Sequence, residues 1–157
     1  MGPHLIYLPE TLQAVPGWNP VSTRSDADSL PVRVKRYFGA MDTLDADAAA
    51  SFFAAGATVR LPGLAPILGR AAIRRALVQF SLDVDDLRHA PVQLWTAGSV
   101  SVFEADMTLT PAGRATLTFP VTYIMRWVDG LIQEARLNVY LESRLAVAIS
   151  AFARGRS

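Results

Sequence analysis

One stretch limits the possible architectures more than any other. From Leu117 to Trp127 every second residue is apolar: Leu117, Phe119, Val121, Tyr123, Met125 and Trp127. Thr116, Thr118, Pro120, Thr122, Ile124 and Arg126 take the alternate positions. Side chains along a strand point to opposite sides of a sheet, so this segment is a strand with one greasy face that must be covered. The preceding run repeats the pattern, with Phe103, Ala105, Met107 and Leu109 inward and Val102, Glu104, Asp106 and Thr108 outward. The last run has Ala135, Leu137 and Val139 inward, with Glu134, Arg136, Asn138 and Tyr140 outward. Turn residues Pro111-Ala112-Gly113 and Val128-Asp129-Gly130 separate the runs as hairpins. The second half therefore reads as a meander of strands at Pro91–Thr96, Ser99–Thr110, Ala115–Val128 and Leu131–Leu141, with a short helix near Arg144–Ala153.

The first half supplies the cover. Val34, Tyr37, Phe38 and Met41 follow i, i+3, i+4, i+7 spacing and form one stripe of a helix. Asp28 or Ser29 is its N-cap, and Pro31 sits in the first turn, where a missing N–H does no harm. A second helix is expected over Ala46–Ala55, with Phe52 and Phe53 among alanines. A strand follows at Ala57–Leu61, and a third helix at Ala71–Leu82 turns Ile73, Leu77 and Phe80 inward. Residues 1–28 are punctuated by Pro9, Pro16, Gly17 and Pro20 and read as an irregular extension, with the domain proper over 29–157. Leu5, Ile6, Tyr7, Leu8 and Trp18 in that extension suit packing on the domain or a neighbouring subunit, or a lid over a binding site.

A chain of 157 residues, 51% of them apolar, can build one domain with a sizeable core. The net charge of +1 and the scattered arginines, with Lys35 the only lysine, argue against a nucleic-acid partner. The absence of cysteine excludes disulfides and thiolate chemistry. No apolar run approaches the ~20 residues of a membrane helix, and the start is no convincing signal peptide, so a cytoplasmic protein with no membrane partner is the expectation.

The segment Arg36-Tyr37-Phe38-Gly39-Ala40-Met41-Asp42-Thr43-Leu44-Asp45, the following helix and strand, Pro62-Gly63, and the helix opening at Gly69-Arg70-Ala71-Ala72-Ile73 carry a resemblance. So does the strand–turn–strand run Tyr123-Ile124-Met125-Arg126-Trp127-Val128-Asp129-Gly130-Leu131-Ile132. In this order they resemble the SnoaL-like branch of the NTF2-like superfamily, relatives of ketosteroid isomerase and limonene-epoxide hydrolase, over roughly Arg33 to Leu145. The resemblance implies an α+β cone: three N-terminal helices packed in the concave face of a curved mixed β-sheet, around an apolar chamber. It also implies a small-molecule enzyme working without cofactor or metal, such as a polyketide or terpenoid cyclase or isomerase, and a homodimer formed through the outer face of the sheet.

Carried over position by position, Tyr37 falls where ketosteroid isomerases place the oxyanion-hole tyrosine, and Tyr123 where they place the second donor. The isomerase's general base falls at Leu61. The final-strand aspartate of the epoxide hydrolases falls at Leu137. What remains is a chamber lined by Leu61, Phe103, Met107, Met125, Leu137 and Val139, with Phe53 and Trp127 as further contacts and two phenols as its polar groups. Phenols donate well to a developing enolate but are poor bases. Such a chamber suits folding of an apolar substrate plus carbonyl polarisation, or simple binding without turnover. The plain alternative for each tyrosine is a structural hydrogen bond, and for Trp95 and Trp127 a core or interface role. His89 is the one imidazole base outside the extension, and such a lone histidine is more often a surface or satisfied residue. Asp106 or Glu104 would serve ring opening of an epoxide only if a β-bulge turned them inward; otherwise they meet Arg126 and Arg136 outside. Asp83, Asp85 and Asp86 are expected in a solvated helix–strand loop.

Overall fold

The computed structural model describes residues 29–139. The expected N-terminal lid or arm and the helix near Arg144–Ala153 lie outside the described residues. Helix α1 (Leu30–Asp42) follows Ser29, carries Pro31 in its first turn, and buries Val34, Tyr37 and Phe38. Asp45 caps helix α2 (Ala46–Ser51) by accepting from the Ala48 N–H at 2.9 Å.

Strand β1 is Phe53–Arg60, so the expected second helix stops four residues early. Ala54 and Ala55 favour a helix by propensity, but tertiary pairing overrides it. Phe53 is buried opposite Ile132, and the Ile132 N–H donates to the Phe52 carbonyl at 2.7 Å. A two-residue strand β2 (Ile67–Leu68), absent from the sequence reading, pairs with β1. Gly69 then begins helix α3 (Arg70–Asp83) at φ +83°, where its N–H donates to Ala57 at 2.7 Å.

Helix α3 passes straight into β3 (Val84–Ala97). That strand starts seven residues before the expected Pro91, so Asp85 and Asp86 lie on a strand rather than in a loop. Strands β4 (Val100–Pro111), β5 (Leu117–Val128) and β6 (Leu131–Val139) complete a six-stranded sheet in the order β2-β1-β6-β5-β4-β3. Only β1–β6 is parallel, which makes the sheet mixed. Asp129 (φ 50°) and Gly130 (φ 76°) both take the left-handed region, as a two-residue type I′ hairpin turn requires.

The alternation read from the sequence holds: Phe103, Ala105, Met107, Phe119, Val121, Tyr123, Met125, Trp127 and Ala135 are buried on the concave face. The three helices of the described residues cover that face. Register shifts on β1, β3 and β6 bend the sheet around them.

Candidate functional site

The helices do not fill the concavity completely. A cavity of about 180 Å³ remains between α1, α3 and the sheet. Its closed end is made by buried Tyr37, Phe53, Ile73, Leu87, Met107, Phe119 and Tyr123. Half-buried Leu61, Pro62, Leu64, Leu137 and Val139 form the rim. Among the described residues that line the cavity, Arg136 alone carries a formal charge, and it turns its guanidinium to the outer face, where it donates to Glu134 at 2.8 Å.

At the closed end a polar chain runs away from the cavity. The Tyr123 hydroxyl lies 2.8 Å from His89 Nε2, and His89 Nδ1 lies 2.5 Å from Asp42 Oδ1. The backbone N–H of His89 donates to the second oxygen of Asp42 at 3.1 Å, so both carboxylate oxygens hold the same residue. Each member comes from a different element. Asp42 ends α1 on the i, i+4 row of Val34 and Phe38; His89 follows Leu87 by two on the inward side of β3; Tyr123 lies on β5.

These contacts fix proton positions. A carboxylate only accepts, so Nδ1 carries a proton; in the neutral imidazole Nε2 then accepts, and the Tyr123 hydroxyl donates to it. Burial lowers the pKa of His89, and the Asp42 hydrogen bond and charge oppose that shift. His89 is neutral at pH 7 in consequence. Burial raises Tyr123 well above the ordinary phenol value, with the neighbouring Tyr37 and Asp42 adding to it. Met107 Sδ stands 3.6 Å from the same hydroxyl. Tyr37, also on the cavity wall, is pushed up by burial too, and its hydroxyl bonds to none of the described residues. Its ring is held edge-on by Phe38, Phe52 and Phe53.

Of the residues singled out from sequence, Tyr37, Tyr123, Leu61, Phe53, Met107, Leu137 and Val139 line the cavity. His89 stands directly behind Tyr123, neither a surface residue nor a cavity wall. Three proposed substrate contacts belong instead to the packed core. Phe103 is covered by Phe38, ring centroids 4.3 Å apart. Met125 and Trp127 lie toward the β5–β6 turn, closed by the N-terminal half of α1 as Arg33 donates to the Gly130 carbonyl at 3.0 Å. There the Trp127 indole N–H donates to Ser101 Oγ at 3.0 Å.

Asp106 is exposed and Glu104 half-buried on the outer face, away from the cavity. The register shift that could have turned them inward falls on β3, at Val92, while β4 pairs with β5 without interruption from Val100 to Leu109. Nor do they meet Arg126 and Arg136, because Glu104 stands opposite Thr122 and Asp106 opposite Pro120. Those arginines, with Arg60, gather around Glu134. Among the described residues, no group of three or more histidine, aspartate or glutamate side chains could hold a metal ion. No helix there is long and apolar enough to cross a membrane.

A bent, half-covered sheet enclosing an apolar chamber defines an NTF2-like α+β cone. Residues 34–135 match the SnoaL-like domain, and the chain belongs to that family. Solved structures agree on the fold. A ketosteroid isomerase-like protein from Catenulispora acidiphila, solved with trimethylamine, is 20% identical with TM-score 0.68, over 75% of this chain and 92% of that one. A candidate polyketide cyclase from Sinorhizobium meliloti is 27% identical with TM-score 0.59, over 69% and 95%. An epoxide hydrolase from M. tuberculosis, of the limonene-epoxide hydrolase-like kind, is 17% identical with TM-score 0.63, over 78% and 88%. No curated protein matches the chain.

Proposed function

We propose that this protein is a cofactor-free cyclase or isomerase that removes and returns a proton next to a carbonyl group in an apolar small molecule. The observation that carries this reading is the Tyr123–His89–Asp42 chain, which ends at a cavity wall also formed by Tyr37, whose hydroxyl bonds to none of the described residues. Tyrosine alone is a poor base, and burial makes its phenolate harder still to form. Backed by neutral His89, Tyr123 needs no stable phenolate. As its oxygen takes the substrate's C–H proton, its own proton passes to His89 Nε2, and Asp42 stabilises the imidazolium. The C–H electron pair moves into the carbonyl, and the enolate oxygen accepts from Tyr37. The enolate then attacks a second carbonyl within the substrate, or is reprotonated at another carbon. His89 returns the proton through Tyr123 in either case.

Cyclisation of a polyketide-type or terpenoid intermediate rests on the family and on the likeness to the Sinorhizobium meliloti protein. Epoxide opening by Asp106 or Glu104 loses support from their outward position. The same reading has the chain as a cytoplasmic homodimer. Trp95, Val102 and Ile124 form a continuous cross-strand row on the outer face for a second copy to cover. Glu104 and Asp106, in no ion pair with a described residue, stand to one side of that row and Arg126 to the other, while Arg136 and Arg60 continue the row across β6 and β1.

The test is α-hydrogen exchange of 2-tetralone in D2O, followed by NMR. Wild-type protein should accelerate exchange, and His89→Gln should lose roughly a hundredfold or more of that acceleration. Exchange no faster than with His89→Gln, while the ketone is bound, would mean a binding domain instead.

A further inference from the structure

We propose that the natural guest is a neutral molecule of one or two fused rings that carries its carbonyl at its inner end. The carbonyl position rests on the proton-abstracting reading above; the size and neutrality rest on the cavity alone. A volume of about 180 Å³ is close to the ~150 Å³ apolar cavity that takes up benzene, and below the ~300 Å³ at which pockets for drug-sized ligands begin. The closed end is held by packing: Phe53 and Leu87 are each no more than 2% exposed, and Phe119 is 8% exposed. A four-ring skeleton would leave most of its surface beyond the rim formed by Leu61, Pro62 and Leu64.

Charge is selected as sharply as size. Among the described residues no cationic side chain enters the cavity, since the Arg136 guanidinium is held outside by Glu134. An ionised carboxylate drawn in would exchange its hydration for apolar walls and phenol hydroxyls, one of them already committed to His89. A neutral ketone has one strong acceptor to satisfy, and at the closed end Tyr37 supplies one donor that no described residue engages. The match of one acceptor to one donor also sets orientation, because the opposite pose leaves the carbonyl among rim aliphatics and the Tyr37 hydroxyl still unpaired.

Calorimetry on the full chain should compare cyclohexanone, 2-tetralone, androstan-17-one and 4-oxocyclohexanecarboxylate. Methionine labelled with ¹³C at the methyl group locates each probe, because Met41 and Met107 line the cavity and Met125 does not. The expected result is tightest binding for 2-tetralone, at least tenfold weaker binding for androstan-17-one, and at least tenfold weaker binding for the carboxylate than for cyclohexanone, with shifts at Met107. A four-ring ketone that binds as tightly as 2-tetralone, or a carboxylate that matches its neutral analogue, overturns the assignment. Binding in the expected order without α-hydrogen exchange would remove the proton-abstracting reading and leave the size and charge assignment standing.

Discussion

Asp42 at the end of the first helix and His89 on the third strand, 47 positions apart, meet through Oδ1 and Nδ1 at 2.5 Å. The contact ties α1 to the sheet and sets which imidazole nitrogen faces the cavity side. Asp42→Asn tests that role. The amide can donate to Nδ1, which moves the imidazole proton to Nε2 and blocks proton acceptance from Tyr123. Ketone exchange should fall by a hundredfold or more while the fold persists by circular dichroism. ¹⁵N shifts of His89 should switch from the Nδ1–H to the Nε2–H pattern; an unchanged pattern together with full exchange would refute the relay.

Acid should weaken both folding and turnover. Burial holds the folded pKa of His89 below its ordinary value of about 6.5, so below that pH the unfolded chain binds the proton more readily than the folded one. Stability therefore falls as pH drops through 6.5 toward the folded pKa and levels off below it. Urea melts between pH 8 and pH 5 should show the loss, and His89→Gln should flatten this part of the curve. Exchange activity should fall at lower pH still, as the folded protein's His89 itself takes up a proton.

Tyr37→Phe separates stability from activity. The buried hydroxyl has no partner among the described residues, and such a group costs about 1–3 kcal/mol. Its removal should leave stability unchanged or raise it by about 1 kcal/mol in urea melts. The same change removes the enolate donor and should slow exchange by roughly tenfold to a thousandfold. A clear loss of stability would mean the hydroxyl is satisfied after all.

Gly130→Ala should destabilise without touching the cavity. The residue sits at φ 76°, and an added Cβ would approach the Arg33 guanidinium to 2.7 Å, displacing the group that bonds the same turn. A cost of about 1–2 kcal/mol is expected in thermal or urea melts, with exchange per folded molecule unchanged.

The dimer reading predicts a mass of two chains in multi-angle light scattering. Ile124→Glu, at the centre of the outer row, should shift the protein to a single-chain mass. A wild-type protein already at single-chain mass across the micromolar range would sink that reading.

The sheet faces were legible because each long strand keeps one side in the core, so parity alone placed Tyr123 and Met107 inward and Glu104 and Asp106 outward. Boundaries were harder. Alanines around Phe53 spell helix, and only distant Ile132 makes them strand. The early start of β3 was hidden by Asp85 and Asp86, which discourage a strand by composition. That error hid the direction of His89, already singled out as the imidazole base, whose inward side follows from Leu87 two residues before. Asp42 went unread as a site residue although the sequence carried a signal. It continues the Val34, Phe38 row of α1, and a carboxylate on a helix's buried row needs a partner.

One consequence of Asp42 remains. Its side chain is 28% exposed, whereas the His89 side chain it holds is 1% exposed. A guest that plugs the aliphatic entrance thus leaves the back of the site in electrical touch with bulk water. On the proposed relay, guest and solvent therefore reach the site from opposite ends, and the Nδ1 proton held against Asp42 can exchange with the medium while the guest stays in place.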